Sequence, residues 1–292
     1  MNQYHQSVLK DEAIDYLGVK SGKLYIDATA GGGGLTEEII NQGGKVLAID
    51  QDFEAIEYLK TKKLENLTLV NDNFSHIYKI ASDNGFLKVA GILFDLGVSS
   101  HQLENTNRGF SFQNEGPLDM RMDPNVNITA FDFVNNFDKR RLNEIFQSYG
   151  QEKFSLAITD AIISARQIEP IRTTSQLSEI VSEVYRKKGI KTKLNPATQV
   201  FQALRIVVNS ELLNLKETLP QTLELLETGG RLVVISFHSL EDGIVKRFFK
   251  QTESLKVLTK KPVGPSSFEI ESNPRSRSAK LRAAEKIVIS NK

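Results

Sequence analysis

Three aspartates follow short apolar runs in the first hundred residues, and a run of glycines comes directly after the first of them. Asp27, Asp50 and Asp95 each close a run that indicates a buried strand. The four glycines Gly31–Gly34 then lead into a helical pattern. Glycines let a ligand approach the backbone closely, and the N-terminus of a helix offers N–H donors. This pattern predicts a ligand site built from a glycine loop and carboxylates.

The spacing of these residues favours one cofactor. Asp50 lies 23 residues after Asp27, where a carboxylate suits a ribose diol because it can accept from both hydroxyls. The dinucleotide pattern G-x-G-x-x-G fails at Thr36, and no G-K-[ST] phosphate loop is present. Asp27 would repel a pyrophosphate, whereas it would attract the sulfonium of S-adenosylmethionine. The loop therefore favours S-adenosylmethionine over a nicotinamide cofactor, with a glycine turn that binds no ligand as the alternative.

The elements that must position these residues alternate between strands and helices. Strands are predicted at 24–27, 45–50, 67–70 and 89–95, and helices at 35–42, 53–63 and 74–83. A helix over 211–227 precedes a further strand at 231–236. Such alternation is typical of βαβ units and a doubly wound parallel sheet, in which the strand ends that carry the acids converge.

The middle of the chain differs from both ends. Residues 104–127 are rich in Asn, Gly, Asp and Pro and indicate a long loop. Helices are predicted at 130–137, 139–148, 153–168, 174–188 and 197–210, with Thr173 as a candidate cap for the fourth of them. We therefore predict an α/β domain from residues 1–125 and 206–292. Residues 126–205 would form a helical insertion, which we expect to recognise the substrate.

Composition narrows the function classes. The 292 residues are 40% hydrophobic and 25% charged, which is typical of a globular protein. The absence of cysteine excludes disulfides, cysteine-ligated metals and a cysteine nucleophile, and we expect no metal site because no His/Asp/Glu cluster has ligand spacing. No apolar run is long enough for a transmembrane helix, and the first residues lack a signal-peptide pattern. We therefore expect a cytoplasmic protein.

Charge is distributed unevenly along the chain. The net charge is +1, yet residues 246–292 carry 12 Lys/Arg against 4 Asp/Glu, which leaves the remainder acidic. A second basic stretch lies at Arg186–Lys193. The basic segments predict contact with a polyanion, with a solvated surface tail as the alternative.

Several longer motifs carry a resemblance to a known family. They are His5–Leu9, Asp95–Leu103, Arg108–Phe112, Gly116–Asp123, Phe201–Ile206, Ile235–Asp242 and Asn273–Arg282. In this order they resemble the bacterial 16S rRNA (cytosine-N4) methyltransferase family, called RsmH or MraW, from His5 to the end of the chain. The resemblance implies methylation of the exocyclic N4 amine of a cytosine in the decoding region of 16S rRNA, with S-adenosylmethionine as cofactor.

The resemblance also implies an architecture and a partner. The fold would be a class I, Rossmann-like methyltransferase sheet with helices on both faces, plus an inserted all-helical domain. The partner would be 16S rRNA within the small ribosomal subunit, with no membrane involved. The oligomeric state stays open, and a homodimer is one alternative.

The same motifs carry site residues over to this chain. The cofactor site implied by the family is Gly33, Gly34, Leu35, Asp50, Phe74, Asp95 and Gln102. Asp95 would accept from the amine or position the cofactor, and Ser99 would hold the edge of the base. His238 would contact the base or a phosphate, with local hydrogen bonding after a strand as the alternative. Phe74 would lie against the adenine or pack in the core.

Other residues near these motifs have two interpretations each. Phe110 and Phe112 could clamp a flipped base or pack the loop onto the insertion. Asp119 and Asp123 could order the loop over the site or act as turn residues. Arg275, Arg277, Lys280 and Arg282 would contact RNA phosphates, as would Arg108.

Four positions depart from the family pattern. Leu35 stands where the family usually has histidine, which matters only if that side chain contacts the cofactor. Asn195 and Gln199 replace a histidine and an arginine, and His101 replaces a proline. None of these changes removes a carboxylate, so we expect activity to persist.

Two other functions compete with this one. The first is a methyltransferase for another substrate, although a DNA amino-methyltransferase would typically show [DNS]-P-P-[YFW] where this chain has Asp95–Val98. The second is an RNA-binding ribosome assembly factor with a degenerate cofactor site, for which Leu35 is the only sign.

Overall fold

The computed structural model describes residues 7–113, 115–192 and 195–289. His5, Gln6 and Lys193, which belong to motifs above, lie outside the described residues. The chain forms two compact units. Residues up to Ser99 and from Leu212 onward form the first unit, and Ser100–Glu211 form the second.

A seven-stranded sheet is the centre of the first unit. Its strands are β1 (Leu24–Asp27), β2 (Lys45–Asp50), β3 (Leu67–Asn71), β4 (Val89–Asp95), β5 (Leu226–Ser236), β6 (Leu255–Val257) and β7 (Lys280–Lys286). Their order is β3-β2-β1-β4-β5-β7-β6. The first five are parallel, and β7 runs antiparallel to both of its neighbours.

Helices lie on both sides of this sheet. Those of the first unit are α1 (Lys10–Leu17), α2 (Gly34–Asn41), α3 (Phe53–Thr61), α4 (Ile77–Asp83), α12 (Ser239–Gln251) and α13 (Ser267–Ser272). In β2, Val46 and Ala48 pack in one apolar cluster with residues of α1 and α2. Leu47 and Ile49 are equally buried, and they point to the opposite face because side chains alternate along a strand. Burial on both faces explains why the strands are continuous apolar runs.

The second unit is helical in its described part. It contains α5 (Ser100–Glu104), α6 (Ala130–Asn136), α7 (Lys139–Ser148), α8 (Ser155–Ile168), α9 (Thr174–Lys187) and α10 (Thr198–Val208), and α11 (Glu211–Leu225) begins at its last residue. Leu142, Phe146, Ile158 and Leu177 are fully buried among these helices. The predicted cap is confirmed, since the Thr173 side chain accepts from the backbone of Gln176 at 3.2 Å.

Most of these elements match the predicted ones. All five predicted strands are present, and the predicted helices agree within about three residues at most ends. The sheet gains β6 and β7, which the apolar pattern did not indicate. Among the helices that the structure describes, none is long and apolar enough to cross a membrane.

Candidate active site

The three predicted aspartates lie on adjacent strands at one edge of the sheet. Asp27 pairs with Ala48 of β2 on one side and with Leu93 of β4 on the other. Asp50 therefore lies two residues beyond the pairing partner of Asp27 on β2, and Asp95 lies two residues beyond its partner on β4. Each of these two aspartates ends its strand. This edge is where parallel α/β sheets bind ligands.

Asp27 anchors the glycine loop from inside the protein. The residue is only 1% exposed, and its Oδ2 accepts from Thr36 Oγ1 at 2.6 Å. Its Oδ1 accepts from the Thr29 amide at 3.2 Å. Burial raises the pKa of Asp27 to about 7, and the charges of Asp95 and Asp50 also raise it. The expectation that Asp27 presents its carboxylate to a sulfonium was wrong, because the side chain faces inward.

Asp50 joins the glycine loop to the turn after β2. Its Oδ2 accepts from the Gly31 amide at 2.8 Å, and its Oδ1 accepts from the Asp52 amide at 2.8 Å. Asp52 in turn caps α3, with its side chain accepting from the Glu54 amide. A carboxylate oxygen has two lone pairs and can accept from two donors at once. This arrangement fits a ribose diol.

A side chain added at Gly33 or Gly34 would collide with a neighbouring side chain. Gly33 has φ +80°, and a Cβ added there would lie 2.3 Å from Leu59 Cδ2. A Cβ on Gly34 would lie 2.3 Å from Ser7 Oγ. Gly31 is different, because the nearest atom to an added Cβ is 3.9 Å away. The open side of the loop is therefore at Gly31, next to Asp50.

Leu35 points away from the loop surface. It is 4% exposed and belongs to the apolar cluster beneath α2, together with Ile39 and Leu59. Only its backbone could therefore contact a cofactor. The family's histidine is thus replaced by a residue whose side chain packs in the core, and the surface of the loop is formed by other groups.

Phe74 packs against the core, and its contact with an adenine stays a prediction. It begins a short 3-10 helix after β3, and its ring meets Phe94 edge to face at 5.6 Å. Phe94 is fully buried, whereas Phe74 is half-buried. One side of the ring thus packs on the core while part of it stays accessible, as an adenine platform requires.

Asp95 is fixed through its backbone. Its amide donates to Thr29 Oγ1 at 2.6 Å, and this bond ties the end of β4 to the start of the glycine loop. Ser99 follows four residues later in the same unit and is partly exposed. Gln102 is 6% exposed on α5, in the second unit.

His238 makes local hydrogen bonds at the start of α12. Its Nδ1 accepts from the Glu241 amide at 3.4 Å, and its Nε2 lies 3.1 Å from Glu241 Oε1. Glu241 Oε2 accepts from the amides of Phe237 and His238. The His238 side chain is only 8% exposed. This geometry favours the local role over direct contact with a base.

Side-chain hydrogen bonds hold the loop at residues 119–122 of the second unit. The sequence motifs included some of the residues that form these bonds and not others. Asp119 forms two hydrogen bonds of 2.8 Å with the Arg121 guanidinium. Burial raises the pKa of Asp119, but the hydrogen bonds and charge of Arg121 outweigh it, so the pKa is lowered. Asn209 accepts from the Met122 amide at 2.7 Å and donates to the Met120 carbonyl at 2.8 Å. Asn209 lies just after α10, and no sequence signal marked it.

The two candidate aromatic clamps pack within the second unit. Phe110 is 7% exposed, and the Arg108 guanidinium lies 5.8 Å from its ring centroid. Phe112 meets Phe201 of α10 edge to face at 5.3 Å. Both contacts agree with the packing alternative. Arg108 also donates to the carbonyls of Arg121 and Met122, so it stabilises this loop.

The basic tail divides into two groups. Arg275 and Arg277 lie in an exposed 3-10 turn. Arg282 is only 7% exposed, and its Nε donates to Asp242 Oδ1 at 2.6 Å. The prediction that Arg282 contacts phosphates was therefore wrong, because the residue forms a buried ion pair between β7 and α12. Lys280 lies 3.8 Å from the same carboxylate and is partly exposed.

Asn195 has a structural role at the start of α10. Its Oδ1 accepts from the Ala197 amide at 2.8 Å, and its carbonyl accepts from Thr198 Oγ1. An asparagine therefore supplies the turn that leads into this helix.

The order of the strands, the antiparallel β7 and the acids around a glycine loop define a class I methyltransferase. Open α/β sheets bind ligands at the carboxyl ends of their strands, where Asp27, Asp50 and Asp95 lie. The chain belongs to the MraW methylase family, whose sequence profile matches residues 2–287.

Individual relatives are similar along their whole length. Ribosomal RNA small subunit methyltransferase H of Halothermothrix orenii is 46% identical over 97% of this chain and 99% of its own length. The protein of the same name from Carboxydothermus hydrogenoformans is 44% identical over 97% and 98%. A solved rRNA methylase from Streptococcus thermophilus aligns with 97% of this chain and 98% of its own at 12% identity, with a TM-score of 0.46.

Proposed function

We propose that the protein transfers a methyl group from S-adenosylmethionine to the N4 amine of a cytosine in the decoding region of 16S rRNA. The observation that carries this proposal is full-length similarity to small-subunit rRNA methyltransferases, combined with intact acids at the ends of β1, β2 and β4. We place the substrate within the small ribosomal subunit and the protein in the cytoplasm, where that subunit is assembled.

The residues around the glycine loop fit this cofactor. Asp50 lies at the open side of the loop beside Gly31, where its carboxylate can accept from the ribose hydroxyls. Phe74 is half-buried, so part of this residue is accessible to the adenine. Gly33, Gly34 and Leu35 would contribute backbone only. Gln102 is a further candidate that rests on the family motif alone. When bound, S-adenosylmethionine supplies a methyl group on a positively charged sulfur.

The chain's own residues would align and prepare the amine. The lone pair of a cytosine amine is delocalised into the ring, so the enzyme gains most by fixing the amine in line with the methyl group. Asp95 would accept a hydrogen bond from the amine, which localises the lone pair, and Ser99 would hold the edge of the base. His238 would act as a positioning residue that fixes the turn after β5.

The assembly-factor alternative loses its only support. Leu35 suggested a degenerate cofactor site, but its side chain lies in the core and is not part of the loop surface. We propose an α/β domain from residues 1–125 and 206–292 and a helical insertion from residues 126–205 that recognises the substrate. The compact units divide the chain elsewhere, after Ser99 and before Leu212.

The proposed function is tested by methyl transfer from labelled S-adenosylmethionine to 30S subunits from a strain that lacks the modification. We expect N4-methylated cytidine in the decoding region after nucleoside analysis. Cofactor binding without transfer would indicate a different substrate, and absence of both would restore the assembly-factor alternative.

Replacing Asp50 by alanine should weaken S-adenosylmethionine binding by about 100-fold, because two charge-assisted hydrogen bonds to the ribose are removed. Isothermal titration calorimetry measures the effect. Asp83→Ala serves as the matched control, since this aspartate is exposed at the end of α4. Equal affinities for both variants would contradict the role of Asp50.

Replacing Arg275 and Arg277 together by alanine should weaken rRNA binding and flatten its salt dependence. For every phosphate that is no longer neutralised, the slope of log K against log salt falls by about 0.9. Filter binding across a salt series measures both the affinity and the slope. Lys60→Ala with Lys63→Ala removes two charges elsewhere on the surface and should leave the slope unchanged.

A further inference from the structure

Helices α8 and α9 border a surface groove of about 920 Å³. Its floor contains Ala161 and Ala165 from α8 and Ile180 from α9. The two alanines leave space, so the floor could receive larger apolar side chains from a partner. Ile168, which ends α8 beside the groove residue Glu169, is 91% exposed. An apolar groove of this size is suited to an amphipathic segment.

The rim of the groove is acidic. Four carboxylates line it, and they belong to Asp160, Glu169, Glu179 and Glu183. Two cations also line it, Arg186 and Lys187, and both form ion pairs with Glu183. They lie at the end of α9, so the rest of the rim carries the negative charge.

Two of the carboxylates are available to a partner. Asp160 already lies 2.5 Å from Lys139. Glu169 and Glu179 line the groove, and within the described part of the chain neither forms an ion pair, although the charge of Glu179 interacts with that of Arg186 at longer range. A partner that brings cations to these two positions would gain complementary charge.

A ribosomal subunit contains RNA and protein, and the negative charge of the rim favours protein as the partner of the groove. An RNA backbone would bring phosphates against carboxylates, which is repulsive. A lysine- and arginine-rich protein segment would bring cations instead, and its apolar residues would cover the floor.

We propose that this groove binds a basic, amphipathic segment of a protein in the small ribosomal subunit. The proposal rests on the proposed function, because it assumes a ribosomal substrate. It adds that the second unit recognises protein as well as RNA, and therefore that the protein-containing particle is bound more tightly than rRNA alone.

The test is a pair of binding measurements on the full-length protein. Glu169→Lys with Glu179→Lys reverses both available charges. We expect the Kd for 30S subunits to rise about tenfold, which corresponds to about 1.4 kcal/mol. The Kd for protein-free 16S rRNA should stay the same or fall. Glu115→Lys with Glu144→Lys is the matched control, because both glutamates are exposed in the same unit.

A second variant tests the floor without changing charge. Ala165→Phe should fill the groove and also weaken binding to 30S subunits, with S-adenosylmethionine affinity unchanged as evidence of an intact fold. Binding is measured without methyl transfer, so failure of the proposed function would be seen separately, as absence of transfer by the unaltered protein.

Three results would overturn the proposal. Tighter binding of the charge-reversed variant to both 30S subunits and rRNA would mean that the groove faces RNA. Unchanged binding to 30S subunits would mean that the groove makes no contact with the subunit. The third result is a dimer of the unaltered protein, seen by sedimentation without ribosomal subunits, that dissociates in the charge-reversed variant. It would mean that the groove receives the basic residues 246–292 of a second copy.

Discussion

Replacing Asp95 by alanine is expected to lower kcat for methyl transfer by about 1,000-fold while the fold stays intact. The carboxylate is the proposed acceptor for the amine hydrogen, so without it the lone pair stays delocalised. The backbone of Asp95 pairs with Ile235 in the sheet and donates to Thr29, and alanine keeps both contacts. Single-turnover transfer to 30S subunits measures the effect.

The variant Asp95→Asn distinguishes the two roles considered for this residue. An amide keeps one oxygen acceptor, so its kcat should lie between those of the alanine variant and the unaltered protein. If Asp95 mainly positions the cofactor, the alanine change would instead raise the Kd for S-adenosylmethionine. Full turnover by the alanine variant would remove Asp95 from the mechanism.

Replacing Asp27 by asparagine is expected to stabilise the protein above neutral pH. Burial raises the pKa of Asp27 from 3.8 to about 7 in the folded state. The folded protein thus binds this proton more tightly than the unfolded chain does. The stabilisation is fully present below pH 3.8, and it declines and is lost as pH rises through 7. Asparagine resembles the protonated form and would avoid this loss, which is on the order of 4 kcal/mol.

Urea unfolding of both proteins at several values between about pH 5 and 8.5 checks this expectation. The difference in free energy of unfolding should grow with pH and level off above about pH 8. Asp83→Asn changes an exposed carboxylate at the end of α4 and serves as the control. A constant difference for Asp27→Asn would mean that the folded state does not raise the pKa of this residue.

The strand ends were predictable because their signal is local. A buried parallel strand is a continuous apolar run, and an acid that closes it marks the ligand edge directly. β7 gave no such signal, since Lys280–Lys286 contains Ala, Glu and Lys, which favour helix over strand. It is a strand because β5 and β6 pair with it on both sides.

The site could not be fully predicted from the sequence, mainly because the sequence does not show in which direction a side chain points. Asp27 and Asp50 look alike in the sequence, yet one is buried beneath the glycine loop and the other faces Gly31. Arg282 looked like its neighbours in the basic tail, although alternation along β7 turns it towards Asp242. The contacts of Asn209 with the loop at 120–122 join residues almost ninety positions apart, beyond the reach of any local pattern.

The place of β7 in the sheet has a consequence for how the protein folds. β5 pairs with β4 across a gap in sequence that contains the whole second unit, and β7 must then enter between β5 and β6. Pairings of such high contact order are slow, because loop closure costs entropy before the contacts form. Until β7 has been synthesised and has left the ribosome, β5 of the nascent chain therefore has an unpaired, apolar edge. Chaperone dependence should accordingly centre on this edge.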